Sequence, residues 1–267
     1  MKKELLGSLE LDRIYQMDCI EGMRLLPDES IDLIIADPPY NIEIAGQAWD
    51  KVANFTEWMD VLIDEWLRLL KPTGNLFIYG GFPIKKYTYE GDIADVYLSL
   101  RKRNVMREVL IWHYKTGNSA KHFYPSRFEV LLWAVKSEDY KFNIDDIRIK
   151  YDEKTLAQYK KDKRLNHETL EKGKIPDNVW IINRVNGSSK EKTGHPSQKP
   201  LEICERIVKG HSDKGDIVLI PFAGSGSECV AAIRNGRHFI GFERESEYIE
   251  IANKRLENIF DELKNEV

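Results

Sequence analysis

The sequence is poor in several things, and each shortage excludes a class. Its 267 residues hold three cysteines, Cys19, Cys204 and Cys229, widely separated and without metal-ligand or redox spacing. A disulfide scaffold and a zinc cluster are therefore not expected, and a reducing cytoplasm is the simplest location. No apolar run approaches the roughly 18 residues of a membrane span. The opening "MKKELLGSLELDR" lacks the apolar core of a secretory signal. Positive charge is not in surplus, since the net charge is −4. Whole-domain basicity usually marks a nucleic-acid binder, but only the contacting face has to be positive. What remains, 42% hydrophobic and 31% charged, belongs to a soluble globular chain, long enough for one large domain or one domain with a sizeable insertion.

Within it two kinds of segment alternate. "LDRIYQM", "IDLIIAD", "GNLFIYG", "REVLIWHY" and "FEVLLWAV" are short, apolar and rich in β-branched or aromatic residues, which predicts strands. Their nearly continuous apolar runs suit strands covered on both faces. Between the second and third, Met59, Leu62, Ile63, Trp66 and Leu69/Leu70 recur at helical spacing until "KPTG" ends the helix. Residues 83–103 form a weaker helix candidate closing on "RKR", which suits a solvated helix end or a phosphate contact. After residue 137 the chain turns polar and lysine-rich, without sustained periodicity. Order returns with a helix at "KPLEICERIVKGHS", a strand at "DIVLIPF", the loop "AGSG", and a helix, strand and final helix. Strands alternating with helices predict a doubly wound, mostly parallel α/β sheet. Ligands of such sheets sit beyond the carboxyl ends of the strands.

Two stretches follow strands and so share that rim. In "VLIPFAGSGSECV", Gly224 and Gly226 permit a tight turn and close backbone approach at a helix start. Glu243 ends the next strand, 17 residues beyond Gly226, where an acid commonly receives ribose hydroxyls. The loop lacks the full G-x-G-x-x-G and no Gly-Lys-Ser/Thr follows. A nucleoside without phosphate, such as S-adenosyl-L-methionine (SAM), fits better, with an ordinary tight turn as the alternative.

The other stretch is "IIADPPYN". Successive prolines at 38 and 39 remove two N–H donors and fix two φ angles, making a stiff platform with Asp37 and Tyr40 on either side. An exocyclic amine on a nucleobase is a weak nucleophile, so a site must align it and stabilise the charge growing on its nitrogen. Asp37 can accept one N–H and the Pro38 carbonyl the other, while Tyr40 stacks on a base swung out of its helix. On these residues alone a plain Pro-Pro turn also fits.

Four stretches in this order resemble the SAM-dependent amino-methyltransferases of DNA, in the β group of bacterial restriction–modification systems. "DPPY" resembles their catalytic motif (Asp37, Pro38, Pro39, Tyr40) and "PFAGSG" their cofactor loop (Phe222, Gly224, Ser225, Gly226). "GHPSQKP" resembles the segment beside the methionine end of SAM. "MDCIEGMRLLPDESIDLIIADPPY" resembles the lead-in, whose acid lies near the adenine of SAM. The resemblance implies a methyltransferase fold of circularly permuted motif order, with the catalytic half at 1–136, a target-recognition region at 137–190 and the SAM half at 191–267. It implies further cofactor contacts from Asp18, Cys19, His195, Lys199 and Glu243, with Lys199 directed at the SAM carboxylate, and no metal. Double-stranded DNA is the implied partner; a restriction endonuclease and a second copy of the chain are further candidates, and no membrane is involved. Asp at the first motif position is associated mainly with adenine N6, against cytosine N4. Tyr140, Phe142 and Tyr151 suit a recognition surface.

The chain departs from the family pattern at Ile220, where an acid is usual, and at Ser227 and Glu228, where threonines are usual. Methylation at cytosine C5 needs a Pro-Cys nucleophile, and the three cysteines follow Asp, Ile and Glu. The rival of another class is a non-catalytic DNA-binding subunit that keeps the fold.

Overall fold

The computed structural model describes residues 4–41, 48–50, 52–82, 93–115, 117, 119, 121–122 and 124–265. A small hairpin of β1 (Leu5–Leu6) and β2 (Leu9–Glu10) precedes β3 (Arg13–Gln16), α1 (Cys19–Met23), β4 (Ile31–Ala36), α2 (Phe55–Leu69) and β5 (Leu70–Gly80). Then come α3 (Ile93–Lys102), β6 (Met106–His113), β7 (Phe128–Val135), α4 (Glu153–Tyr159), α5 (His167–Lys172) and β8 (Val179–Ile181). The chain continues through α6 (Leu201–His211), β9 (Ile217–Ile220), α7 (Ser227–Arg234), β10 (His238–Glu243) and α8 (Ser246–Asn265). The main sheet runs β3-β10-β9-β4-β5-β7-β6-β8, and only β7 opposes its neighbours.

Strand periodicity sorts the core into two layers. Along β4, Leu33 and Ile35 join a cluster containing Ile203 of α6, Cys229 of α7 and Leu256 of α8. Ile34 and Ala36 face the other cluster, with Met23, Leu62 and Trp66. Both faces are therefore covered by helices, as the continuous apolar runs predict. In α2 the buried positions are Phe55, Met59, Leu62, Ile63, Trp66 and Leu69, a single stripe. Each such side chain contributes about 1.5–3 kcal/mol on burial. The helix ends where Leu70 turns extended, two residues before Pro72, which disfavours helical geometry at Lys71. That extended start lengthens β5 beyond the expected strand.

Parallel pairing of Leu33 with Val218 and Ile34 with Leu219 makes β4 and β9 neighbours, although they lie far apart in the chain. This register brings the stretch after β4 and the loop after β9 to one rim. At the opposite rim Asp32, 3% exposed, binds Lys71 at 2.8 Å and Lys141 at 3.2 Å and accepts the Ile217 N–H at 3.1 Å. Lys141 thereby anchors the polar segment after β7. Tyr140 and Phe142, expected on a recognition surface, pack on Trp133 with centroids 5.3 and 5.5 Å away, and Phe142 stays 40% exposed. Tyr151 packs edge-on against Tyr159 at 5.3 Å. The same polar segment ends in a strand that its composition did not predict. β8 pairs in parallel with β6 and buries Trp180. Of the weaker helix candidate, residues 93–102 are α3 and 83–92 lie outside the described residues. Its "RKR" end is partly committed, because Arg103 binds Asp60 and Asp64 of α2 at 2.9 and 2.8 Å. Among the described residues no helix is long and apolar enough to cross a membrane.

Candidate active site

The turn after β4 is held by a residue that the sequence did not single out. Asp50, fully buried, accepts the Tyr40 N–H at 2.7 Å and the Asn41 N–H at 3.2 Å on one oxygen. Asn41 has φ +58°, a left-handed value that asparagine tolerates and that turns the chain sharply after Tyr40. With the prolines limiting φ before it, the Asp37 side chain is presented from a fixed backbone.

Asp37 lies where two cavities meet. The first, about 270 Å³, runs from Asp18, Cys19 and Trp58 to Phe222, Gly224 and Glu243. The second, about 710 Å³, is lined by Pro38, Tyr40, Phe82, Tyr114, Glu129 and Lys199 among others. Asp37, Trp49 and Ser197 line both.

In the first cavity the glycine loop is shaped by its surroundings. Gly224 has φ +46°, and a Cβ there would stand 3.2 Å from His195 Nε2. Gly226 has φ +74°, and a Cβ there would stand 2.8 Å from the Ala252 Cβ of α8. The first glycine lets the ring of His195 close over the loop, and the second lets α7 pack on α8. Glu243 accepts the Gly224 N–H at 2.8 Å on one oxygen and the N–H groups of Arg244 and Glu245 at 2.8 and 3.0 Å on the other. A carboxylate has about four acceptor sites, so about one remains for a ligand hydroxyl. Asp18 caps α1 by accepting the Ile20 N–H at 2.9 Å. Phe222 meets Trp58 with ring centroids 5.9 Å apart and walls the cavity with Phe242. Burial pushes the His195 imidazole down to about 4, and the charges of Lys199 and Arg255 add to that. It is therefore neutral at pH 7, packed edge-on at 4.3 Å from Tyr248. The Cys19 thiol is pushed up to about 12 by burial and then by Asp18, which leaves it protonated.

Not every expected cofactor contact reaches this cavity. Ser225 and Gly226 of the loop do not line it, and the Ser225 carbonyl accepts from Arg255 at 2.7 Å. Lys199, expected to face the cofactor carboxylate, is 5% exposed and binds Asp37 at 2.8 Å and Glu129 at 3.4 Å. Burial opposes its charge, but Asp37 and Glu129 more than offset that and raise its pKa. The Tyr40 hydroxyl lies 3.0 Å from Asp37 Oδ1 and 2.9 Å from Glu129 Oε2. Lys199 therefore belongs to the motif side of the site. Glu129 and Asp50 had no local signal in the sequence, because their partners are distant in the chain.

The donor set suits a cationic nucleoside: aromatic walls, carboxylates at Asp18 and Glu243, and loop N–H groups at one end with Asp37 at the other. The sequence profile of a DNA methylase family, the N6/N4 methyltransferases, matches residues 31–254. The chain belongs to this family. Over 259 residues it is 36% identical to the DNA adenine methyltransferase YhdJ of Escherichia coli (strain K12), spanning 93% of this chain and 83% of that one. It is 33% identical over 265 residues to the type II methyltransferase M.BglII of Bacillus subtilis, spanning 96% and 71%. A Thermus thermophilus structure, TTHA0409, assigned as a DNA modification methylase and solved with SAM, superposes with a TM-score of 0.64. That comparison has 26% identity and covers 92% of this chain and 93% of the other. SAM is the cofactor of the methylase, and DNA its substrate.

The departures from the family pattern in this methylase have structural correlates. Ile220 is fully buried in the sheet. The Ser227 hydroxyl donates to the Lys199 carbonyl at 2.8 Å, tying α7 to the segment that carries Lys199. Glu228 is 4% exposed, and its carboxyl lies 3.5 Å from the Cys204 thiol. Burial and then the charge of Asp37 push the Glu228 carboxyl up to about 7. All three cysteines are buried, and among the described residues no cluster of side chains could hold a metal ion.

Proposed function

We propose that the protein is a site-specific DNA methyltransferase acting on the exocyclic N6 of adenine in a base turned out of the duplex. The observation that carries this reading is the position of Asp37 at the junction of the two cavities. One is built for the cofactor, and the other, walled by Tyr40, Phe82 and Tyr114, has room for a nucleobase. When bound, SAM supplies an electrophilic methyl group. Asp37 accepts one N–H of the amine and the Pro38 carbonyl the other, which aligns the nitrogen and stabilises its growing charge. The half-buried ring of Tyr40 stacks on the base while its hydroxyl stays on Asp37 and Glu129. Neutral His195 closes the cofactor loop without placing a second cation beside the sulfonium. Glu243 and Asp18 hold the nucleoside end.

Adenine is favoured by Asp at the first motif position and by the likeness to YhdJ, an adenine methyltransferase. Residues 137–190 are assigned to target recognition in this proposal. Their early part is anchored at the far rim through Lys141, whereas Arg184 and Asn186 line the larger cavity. The DNA-facing portion is therefore placed after β8.

The test is to incubate purified protein with methyl-labelled SAM and unmethylated bacterial DNA, digest the DNA to nucleosides and analyse them by mass spectrometry. Labelled N6-methyladenine is expected. Labelled N4-methylcytosine in its place would overturn the base assignment, and no label with any of several DNAs would overturn the enzymatic reading.

A further inference from the structure

The wall of the larger cavity holds a second carboxylate, Glu129, at the second residue of β7. Four side chains form a closed ring there. Lys199 Nζ stands 2.8 Å from Asp37 Oδ2 and 3.4 Å from Glu129 Oε2. The Tyr40 hydroxyl stands 3.0 Å from Asp37 Oδ1 and 2.9 Å from Glu129 Oε2. The four residues come from three places in the fold: the turn after β4, the start of β7 and the segment before α6. Lys199 Nζ also lies 5.2 and 4.9 Å from the ring centroids of Tyr40 and Tyr79. Beneath the ring lies Glu228, whose charge also acts on Lys199.

The balance of charge in this ring is unequal. Two carboxylates face one ammonium, and the single proton of the Tyr40 hydroxyl faces two oxygens at nearly equal distance. Were Asp37 alone with Lys199 and Tyr40, both positive ends would point at it. A carboxylate so neutralised is a weak acceptor for an amine and stabilises little positive charge on nitrogen. Glu129 draws part of both partners away. It leaves the site with negative charge in excess where the acceptor nitrogen becomes cationic.

We propose that Glu129 is a positioning residue for methyl transfer, sharing Lys199 and Tyr40 with Asp37 so that the Asp37 carboxylate stays aimed and incompletely neutralised. The inference rests on the methyltransferase reading of the Asp37 site. It assigns Glu129 no contact with the reacting atoms. Its effect passes through Lys199 and Tyr40.

The experiment compares wild type, Glu129→Gln, Glu129→Asp and Asp37→Ala as full chains, in label transfer from SAM to DNA under saturating and limiting SAM. SAM affinity is measured separately by calorimetry. Glu129→Gln keeps the shape and removes the charge. Its kcat is expected to fall about 10- to 100-fold, the order lost when one electrostatic partner at a reacting centre is removed. KM and Kd for SAM should stay within about twofold, because Glu129 does not line the cofactor cavity. Glu129→Asp, which keeps the charge on a shorter arm, should recover part of the lost kcat. A Glu129→Gln protein as fast as wild type would overturn the inference and leave the methyltransferase reading standing. So would a rise in KM for SAM at unchanged kcat, or a Glu129→Asp protein no better than Glu129→Gln. A wild type that transfers no label overturns the reading and the inference together.

Discussion

The two cavities that meet at Asp37 are built on different principles. The cofactor side is made of shape. Its glycines have left-handed φ, its walls are rings, and its carboxylates at Asp18 and Glu243 are already engaged by backbone N–H groups. The other side is made of charge, a buried ammonium between two carboxylates with a phenol across them. The contrast follows from the task. A ligand that arrives repeatedly and leaves as product is held by fit, whereas a weakly nucleophilic amine needs a field that favours its transition state.

Substitutions on the two sides should therefore separate affinity from turnover. The largest effect belongs to Asp37→Ala, expected to lower kcat by about 1,000-fold or more with Kd for SAM within a few-fold, measured by label transfer and calorimetry. Loss of both together would erase the contrast. Next is Gly226→Val, which forces a left-handed φ on a β-branched residue and drives its Cβ into Ala252. A loss of about 3 kcal/mol is expected, read as a lower denaturation midpoint.

Glu228→Gln sharpens the contrast by pH. The folded-state pKa of Glu228, about 7, lies above the unfolded value of 4.5. Its contribution to stability is present below pH 4.5 and lost as pH rises through 7. The variant should thus gain up to about 3 kcal/mol over wild type at pH 8 and far less at pH 5, by melting at both. An equal gain at both pH values would show that Glu228 does not titrate this way. The smallest effect is that of Phe222→Ala, expected to weaken SAM binding about tenfold while kcat at saturating SAM is kept. If kcat falls and affinity holds, the cofactor wall contributes to chemistry after all.

Legibility in the sequence followed distance along the chain. The strands of the site rim, the stripe of α2, the stiff turn at Pro38 and Pro39 and the glycine loop are local patterns, and the fold places them as read. Glu243 was singled out because strand ends have predictable neighbours, and Asp18 only through the likeness of its stretch to the family's lead-in. Glu129 was not, since its partner Tyr40 lies 89 residues away and nothing around "RFEVL" marks an acid turned inward. Lys199 was noticed, but its ion pairs with Asp37 and Glu129 were not, because no spacing rule reveals which distant carboxylates stand beside it. β8 escaped because it is three residues long and all three are apolar, so the sequence shows no period although the burial alternates.

The pairing of β4 with β9 has a consequence in time. Synthesis of a chain at about 5–20 residues per second leaves on the order of tens of seconds between the emergence of Ala36 and that of Ile217. Throughout that interval one edge of β4 lacks its neighbour, and the turn carrying Asp37 has no glycine loop beside it. A nascent chain thus carries an open strand edge, exposed to aggregation until β9 arrives. The rim that brings the stretch after β4 beside the loop after β9 exists only once that pairing has formed.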